Sequence, residues 1–340
     1  MSPDHRRERL TLIFLLAGTV AAVVAYIWLG SSSSMSFGQV VAEIVRGPHA
    51  GFSAANTITW SIRLPRCLLC LISGWILAGV GSAFQALLRN PLADPYVIGV
   101  ASGAGAGGAI SLAAGFAGLA GGLGMMGACF AGGLLSLALV FGLSRRRGVV
   151  VVSQLLLAGV AVGSLLSALL TFILMLGGQD TNRILGFLLG HTSDANWQKV
   201  IVVFIASLGL VVQWREVRSL NLMAMGDAAA RRMGVETERT RNVILGIGTA
   251  MTAAVVGTIG IVGFIGLLGP HMARKLVGVD WRRSMPVAVL LGGVLMVISD
   301  LVAQRVLPWL TGNAGMEVNV GIVAALLGAP TLLVLLRRSE

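Results

Sequence analysis

The sequence contains few charged residues. Only 11% of its 340 residues are Asp, Glu, Lys or Arg, whereas a soluble protein carries about 25%. A soluble chain of this length would need far more charge to cover its surface, which argues against a soluble enzyme. The net charge of +11 does not indicate nucleic-acid binding, because the arginines occur in short clusters between apolar runs.

Residues for covalent chemistry are scarce as well. The sequence has no Walker A, H-E-x-x-H or G-x-S-x-G motif, and its four histidines are scattered. Cys67 and Cys70 form a CxxC pair at the start of an apolar helix, where packing is the simpler role, and Cys129 stands alone. We therefore expect no catalytic residue, no metal site and no directly bound cofactor, and an intramembrane enzyme is disfavoured.

Apolar residues, in contrast, make up 56% of the chain, and the mean hydropathy is +0.88. About 20 apolar residues span a bilayer, and the 46 glycines would let membrane helices approach closely. These features predict an all-α polytopic membrane protein, with a single transmembrane domain over residues 1–340. The ten candidate spans are 10–29, 67–88, 95–114, 118–143, 149–177, 198–214, 242–259, 262–276, 285–304 and 319–336.

The first candidate span resembles a signal peptide, because basic residues between His5 and Arg9 precede an apolar run. The run is long enough to span a bilayer, and no A-x-A cleavage site follows it. We therefore predict a retained first transmembrane helix.

The stretch from Val243 to Pro270 has no charged residue, and it is too long for one ordinary span. Basic clusters flank it on both sides, and the positive-inside rule places both on the cytoplasmic side. The stretch is therefore predicted to be a hairpin. Its tight outer turn would contain Gly257, Gly260, Gly263 and Gly266, and Pro270 would end its short second arm.

The same rule orients the whole chain, because most Lys and Arg residues fall on one side when ten spans are counted. It predicts cytoplasmic N- and C-termini, an outer loop at 31–66 and a long inner loop at 215–241. In the inner loop, apolar residues at helical spacing and two glycine breaks suggest a helix–turn–helix at the membrane surface. Two roles are open for this segment. It could do no more than pack on its own helical bundle, or it could dock a cytoplasmic partner.

A polar elbow at residues 89–95 interrupts the apolar sequence on the predicted cytoplasmic side. Asn90-Pro91 and Asp94-Pro95 are expected to end one helix and start the next. The glycines that follow, from Gly103 to Gly108, fit the dinucleotide fingerprint G-x-G-x-x-G. That fingerprint requires a preceding strand, so we expect helix packing or a path lining here instead.

Asp300 is the main acidic residue within the spans. An intramembrane carboxylate is a functional candidate, for example in a proton relay. Arg305 lies about one turn further along, which favours a local structural pair. An ion-coupled secondary transporter or channel that works without an ATPase remains the alternative class of function.

Seven stretches of the sequence form recognisable motifs. They are RLPR (63–66), QALLRNPLADP (85–95), GVASGA (99–104), LLLAGVAVGSLLSALLT (155–171), LNLMAMGDAAARRMGV (220–235), GFIGLLGPHMAR (263–274) and GIVAALLGAPTLLVLL (321–336). Together they resemble the FecCD-type permeases, the membrane subunits of ABC importers for ferric siderophores, haem and vitamin B12. The resemblance covers nearly the whole chain in order.

This resemblance implies a homodimer in the bacterial inner membrane, with a translocation path at the shared interface. Two ATP-binding subunits, which use ATP and Mg, would dock on the cytoplasmic side. A periplasmic or lipoprotein substrate-binding protein would dock on the outer side. A ferric siderophore is the first choice of substrate, with haem and cobalamin possible, because selectivity largely resides in the binding protein.

The resemblance also assigns residues to three roles. The ATPase coupling loop would use Leu222, Met225, Gly226, Asp227, Ala230, Arg231 and Gly234; binding-protein docking would use Arg63, Arg66 and Arg305; the cytoplasmic gate would use Asn90, Leu92, Val151 and Val152. The chain departs from the family at Asn319, where proline is usual. We expect the fold to tolerate this change, because asparagine can cap a helix.

Overall fold

A computed structural model describes residues 3–30, 35–48, 53–96, 99–146, 149–150, 152–176, 181–313 and 316–337. This part of the chain is helical, apart from a two-residue antiparallel ladder between Arg145–Arg146 and Val149–Val150. The helices are α1 (Pro3–Leu29), α2 (Phe37–Arg46), α3 (Ala54–Thr57), α4 (Leu64–Leu88), α5 (Val100–Ala113), α6 (Leu123–Ser144), α7 (Val152–Leu176), α8 (Thr181–Leu188), α9 (Trp197–Ser207), α10 (Gly209–Arg215), α11 (Val217–Ala224), α12 (Asp227–Arg232), α13 (Thr237–Ile259), α14 (Ile265–Val277), α15 (Trp281–Thr311) and α16 (Val320–Arg337). A π-helical turn (Ile58–Arg63) leads into α4, and a 3-10 turn (Leu119–Gly122) leads into α6.

Each predicted span corresponds to a helix or to the pair α9–α10. Within the described residues, seven helical stretches are long and apolar enough to cross a membrane, and α5, α14 and α16 are shorter. The seven are Leu10–Leu29, Ala54–Leu88, Leu119–Ser144, Val152–Met175, Trp197–Arg215, Thr237–Ile259 and Trp281–Thr311. A helical membrane protein is thereby confirmed, whereas the count of ten crossings and the side of the termini stay predictions.

Helix α4 lies at the centre of the bundle and is buried along almost all of its length. It packs against α15, α14, α13 and α9. Small residues make this possible, since a side chain at Gly74 would overlap the backbone of α15 at Gly293, 2.8 Å away. Because α4 runs from Leu64 to Leu88, it connects two candidate sites at its opposite ends.

The predicted hairpin is present, but its turn is shorter than expected. Helix α13 ends at Ile259 and α14 begins at Ile265, so Gly257 and Gly266 lie inside the arms. Both arms pack against α4.

The prediction that Pro270 ends the second arm is wrong, because α14 continues through Pro270 to Val277. Proline removes the amide hydrogen that would bond to the carbonyl of Gly266. That carbonyl instead accepts a hydrogen bond from Gln85 Nε2 of α4, at 3.4 Å. A neighbouring helix therefore satisfies the group that proline leaves free.

At the elbow, α4 ends at Leu88 as predicted, but α5 begins at Val100 rather than at Pro95. The Asp94 carboxylate accepts a hydrogen bond from the Tyr96 amide at 2.9 Å, which forms an Asx turn in place of a helix start. The expectation of helix packing beyond the elbow is confirmed. A side chain at Gly103 would lie only 2.6 Å from Ser136 Cβ of α6.

Candidate functional site

The inner loop at 215–241 folds as the predicted helix–turn–helix. Helix α11 ends at Ala224, Gly226 makes the turn, and α12 follows at Asp227. Gly226 adopts φ 121° and ψ 142°, a conformation that is open essentially only to glycine. The turn between α11 and α12 therefore depends on the glycine at this one position.

The coupling loop, defined here as residues 215–241, is anchored by buried side chains and presents others to its surroundings. Leu220 and Met223 of α11 and Ala230 of α12 are buried. Met225 is 69% exposed and Met233 is 57% exposed. The loop is therefore anchored in the apolar core, while two flexible, apolar methionine side chains remain exposed.

The predicted coupling residues occupy three kinds of position. Met225 is exposed, Leu222 is partly buried, and Ala230 is buried in the core, where it anchors α12. Arg231 is about half exposed and donates a hydrogen bond to Thr237 Oγ1 at 2.9 Å. The other members are Gly226, Asp227 and Gly234. Gly234 has a positive φ of 84°, and a β-carbon at this position would meet open space.

Asp227 faces the bundle and pairs with two arginines. Its Oδ1 pairs with Arg89 of the elbow, and its Oδ2 lies 2.7 Å from a guanidinium nitrogen of Arg241 in α13. Arg241 is only 1% exposed and also pairs with Glu238. Sequence reasoning missed this network, because charged residues near helix starts are ordinarily solvated.

A second set of contacts fixes α11 to the beginning of α15. Asn221 Nδ2 donates to Asp280 Oδ1 at 2.8 Å, and Asn221 Oδ1 accepts from the Trp281 amide at 3.1 Å. The Arg274 guanidinium lies over the Trp281 ring, 5.4 Å from its centroid, and donates to Gln85 Oε1 at 2.6 Å. The coupling loop, α14, α15 and the end of α4 are thus connected by polar contacts.

The candidate gate residues lie at the elbow and at the start of α7. The Asn90 side chain accepts from the Leu92 amide at 2.9 Å, and the Leu92 side chain is exposed. Val152 packs against the main apolar core, whereas Val151 falls outside the described residues. The Asp94 carboxyl is buried, which raises its pKa to about 6, although the hydrogen bond from Tyr96 acts in the opposite direction.

The predicted docking arginines lie at the other end of α4, which we call the far end (residues 26–30, 60–66, 191–199, 300–313 and 316–317). Arg63 is 2% exposed and donates to the carbonyls of Ile27 at 2.8 Å and Gly30 at 2.8 Å. It therefore caps the last carbonyls of α1, a favourable position for a cation. Arg305 lies nearer the surface and donates to the carbonyls of Leu29 and Gly30.

Arg66 is also buried, and its guanidinium forms ion pairs with Asp300 at 3.0 Å and Glu317 at 2.9 Å. Direct contact between a partner protein and Arg63 or Arg66 would require the far end to open. The geometry favours structural roles for these two arginines, whereas their docking role stays a prediction.

Asp300 does not pair with Arg305, and the predicted local pair is wrong. Five residues along an α-helix correspond to a rotation of about 140°, so the two side chains point to different faces. The Asp300 carboxylate is fully buried and accepts hydrogen bonds from several side chains. They include Arg66, Tyr26, Thr192 and Gln304.

Another far-end cluster lines a cavity of about 670 Å³. Asp194 lies 2.6 Å from Lys199 Nζ and 3.3 Å from His191 Nε2. Burial acts to raise the pKa of Asp194, but the hydrogen bond from His191 and the charge of Lys199 outweigh it and hold the pKa well below its usual range. Asn319 lines the same cavity, and its carbonyl accepts from the Ile322 amide at 3.0 Å, so α16 forms normally after it.

Replacing Gly226 by alanine is expected to destabilise the coupling loop by about 1–3 kcal/mol, because a β-carbon disfavours this backbone conformation. Limited proteolysis within 215–241 should become faster, and this rate is the measurement. Gly142→Ala in α6 is the matched control, since its β-carbon would meet open space. Equal proteolysis of the two variants would contradict the strained turn.

A helical bundle with several apolar spans and an anchored loop that exposes two methionines has the architecture of a multi-pass membrane protein. Among the described residues, no group of three or more His, Cys, Asp or Glu side chains is placed to hold a metal ion.

The chain belongs to the FecCD transport family, whose model matches residues 11–338. It is 34% identical over 289 residues to the cobalamin import system permease protein BtuC of Halobacterium salinarum, covering 84% of this chain and 75% of that protein. It is 32% identical over 334 residues to a protein of Helicobacter pylori named as an iron chelatin transport system permease, covering 96% and 97%.

A solved structure described as an inward-facing conformation of a metal-chelate type ABC transporter has the same fold. The TM-score is 0.83 at 27% sequence identity, and the match covers 96% of this chain and 98% of that chain. The family resemblance inferred from the motifs is therefore confirmed. The chain is a multi-pass membrane permease of the ABC transporter type.

Proposed function

We propose that this chain is the permease subunit of an ATP-driven importer that depends on a substrate-binding protein. Its cargo is a large metal chelate, with a ferric siderophore as the first choice and cobalamin or haem as alternatives. Family membership supports this class, and the relatives named for cobalamin and for iron chelatin support this range of cargo.

The observation that carries the proposal is the anchored coupling loop with exposed apolar tips. Met225 and Met233 protrude, while Leu220, Met223 and Ala230 hold the loop in the core. A soluble partner that docked here would bury the methionines, and its movement would displace a loop that is anchored in the bundle. We assign that partner as a cytoplasmic ATP-binding subunit, which hydrolyses ATP with Mg in its own active site.

The proposed mechanism is alternating access in a homodimer. The permease forms no covalent bonds with its cargo, and its contribution is a set of conformations that ATP and the loaded binding protein bias. Helix α4 supports this role, because it connects the far end at Arg66 with the elbow at Arg89.

Helix α7 supplies a face for the second copy. This helix is apolar along its length, and its side chains that are more than half exposed include Leu157, Val160, Leu165 and Met175. We propose that part of this face contacts the partner protomer along the translocation path and that the remainder contacts lipid.

The far end would receive the substrate-binding protein. Arg305 and the exposed side chain of Trp309 lie on the same surface, beside a cavity of about 520 Å³. An exposed charge pair contributes about 0–1 kcal/mol, but complementary charges steer a partner and fix its orientation. The charge bias of the sequence supports a position of this end outside the cytoplasm, and we propose the bacterial inner membrane as the location, with both termini cytoplasmic.

Replacing Met225 by glutamate should weaken binding of the ATP-binding subunit by about 10-fold or more, since a charge would be buried in an apolar contact. The measurement is the affinity between the detergent-solubilised permease and the purified subunit. Met316→Glu is the matched control, because Met316 is an exposed methionine at the far end, away from the coupling loop. Equal affinities for the two variants would contradict a docking role for the coupling loop.

The proposed function itself is tested by co-expression with the ATP-binding and substrate-binding proteins encoded by neighbouring genes. We expect a complex of two permease and two ATP-binding chains, and uptake of a metal chelate into proteoliposomes that requires ATP. A chain that purifies alone and transports without ATP would overturn the proposal in favour of an ion-coupled transporter. Against that alternative, every contact described for Asp300 is already a structural hydrogen bond or ion pair.

A further inference from the structure

Asp227 connects three separate elements of the structure. It is the first residue of α12, its Oδ1 pairs with Arg89 just beyond α4, and its Oδ2 lies 2.7 Å from Arg241 in the first turns of α13. Both carboxylate oxygens are therefore engaged within the chain. A residue that only contacted a soluble partner would not need either pairing.

The two arginines have different surroundings, and both depend on this carboxylate. Arg241 is almost fully buried, so its charge requires acceptors nearby, and Asp227 supplies one beside Glu238. Arg89 is about half exposed, and besides Asp227 it donates from Nε to the Met223 carbonyl at 2.9 Å. Arg89 thus holds the end of α11 and the beginning of α12 together.

The position of Arg89 makes it the elbow residue that reaches the coupling loop. It caps α4 in a left-handed conformation with φ 50°. The next residue, Asn90, uses its side chain within the elbow, where it accepts from the Leu92 amide. Arg89 lines a crevice of about 660 Å³ together with Pro91 of the elbow and Met225 of the coupling loop.

We infer that Asp227 is a positioning residue that ties the coupling loop to the elbow and to α13, so that displacement of the loop moves both. This inference deepens the proposed function and rests on it. It also changes the role that family resemblance assigned to Asp227. The residue connects elements within the chain and does not contact the ATP-binding subunit. Charge-assisted hydrogen bonds suit such a connection, because they are directional and stronger than neutral ones.

The test uses the complete importer in proteoliposomes and measures cargo transported per ATP hydrolysed. Asp227→Asn keeps the shape of the side chain and removes its charge. We expect the two-plus-two complex and basal ATP hydrolysis to persist, while transport per ATP falls by about 10-fold, within the usual range of coupling between sites. Arg89→Gln removes only the connection to the elbow and should lower transport per ATP in the same direction, and the double variant should lose no more than Asp227→Asn alone.

A matched control is available in the same loop. Glu236 pairs with Arg239 at 4.0 Å, and both side chains are largely exposed. Glu236→Gln makes the same chemical change as Asp227→Asn and should leave transport per ATP unchanged.

Three results would overturn the inference: normal coupling in Asp227→Asn, additive losses in the double variant, or weaker binding of the ATP-binding subunit as the main defect. If Asp227→Asn does not fold, Arg89→Gln alone decides, since it leaves Arg241 paired. Failure of the proposed function is distinguishable, because the unaltered chain would then show no ATP-dependent uptake at all.

Discussion

Replacing Arg66 by methionine is expected to lower the free energy of unfolding by about 3–5 kcal/mol, the loss typical of breaking a buried ion pair. Asp300 would remain fully buried without its positive partner, and the hydrogen bonds from Tyr26 and Thr192 could not compensate its charge. The measurement is denaturant-induced unfolding of the detergent-solubilised protein, followed by tryptophan fluorescence.

Two further variants distinguish the loss of a buried ion pair from the loss of any arginine. Arg239→Met removes an arginine from a pair in which Arg239 and Glu236 are 73% and 76% exposed, and it should cost about 0–1 kcal/mol. Arg66→Met combined with Asp300→Asn should be more stable than Arg66→Met alone, because no unpaired charge is left in the core. Equal stabilities of the single and double variants would show that Asp300 is not a buried carboxylate held by Arg66.

The burial of Arg63 and Arg66 also changes the expected result of a docking experiment. From the sequence, replacing Arg63 and Arg66 together by glutamate is expected to abolish uptake while assembly stays intact. Their burial at the far end predicts that this double variant accumulates little folded protein. Arg305 is the better probe of docking, because it lies nearer the surface.

The sequence allowed much of the architecture to be predicted. Apolar runs of spanning length located every long helix, because in a membrane protein the composition of a segment and its environment are closely linked. Gly226 and Gly234 marked the breaks of the helix–turn–helix, since a positive φ is a local requirement of one residue. Consecutive motifs then identified the family.

The contacts at both ends of α4 could not be predicted in the same way. Arg66 and Asp300 are 234 positions apart in the sequence, and no local pattern indicates that they meet. One signal was available for the far end, because Asp300 and Gln304 are four residues apart and therefore share a face of α15. The continuation of α14 through Pro270 depends on Gln85 of another helix, which only the tertiary structure reveals.

Replacing Gly81 by alanine is expected to destabilise the protein by about 3 kcal/mol, at the upper end of the usual cost of overpacking. The new β-carbon would lie 2.7 Å from the carbonyl carbon and 2.9 Å from the α-carbon of Gly266, which is backbone and cannot rotate away. Helices α4 and α14 would have to separate, and Gln85 would lose the hydrogen bond that it donates to Gly266 and the one that it accepts from Arg274.

Gly246→Ala in α13 is the matched control for this change. Its β-carbon would meet open space, so the substitution should stabilise the helix by about 0.5–1 kcal/mol, because alanine is the better helix former. Unfolding measurements on the two variants should therefore differ in sign. Because Gln85 lies one turn from the elbow, Gly81→Ala should also reduce uptake more than the control does. If the two variants are equally stable, the close approach of α4 and α14 does not exist, and the connection of the elbow to α14 through Gln85 must be abandoned.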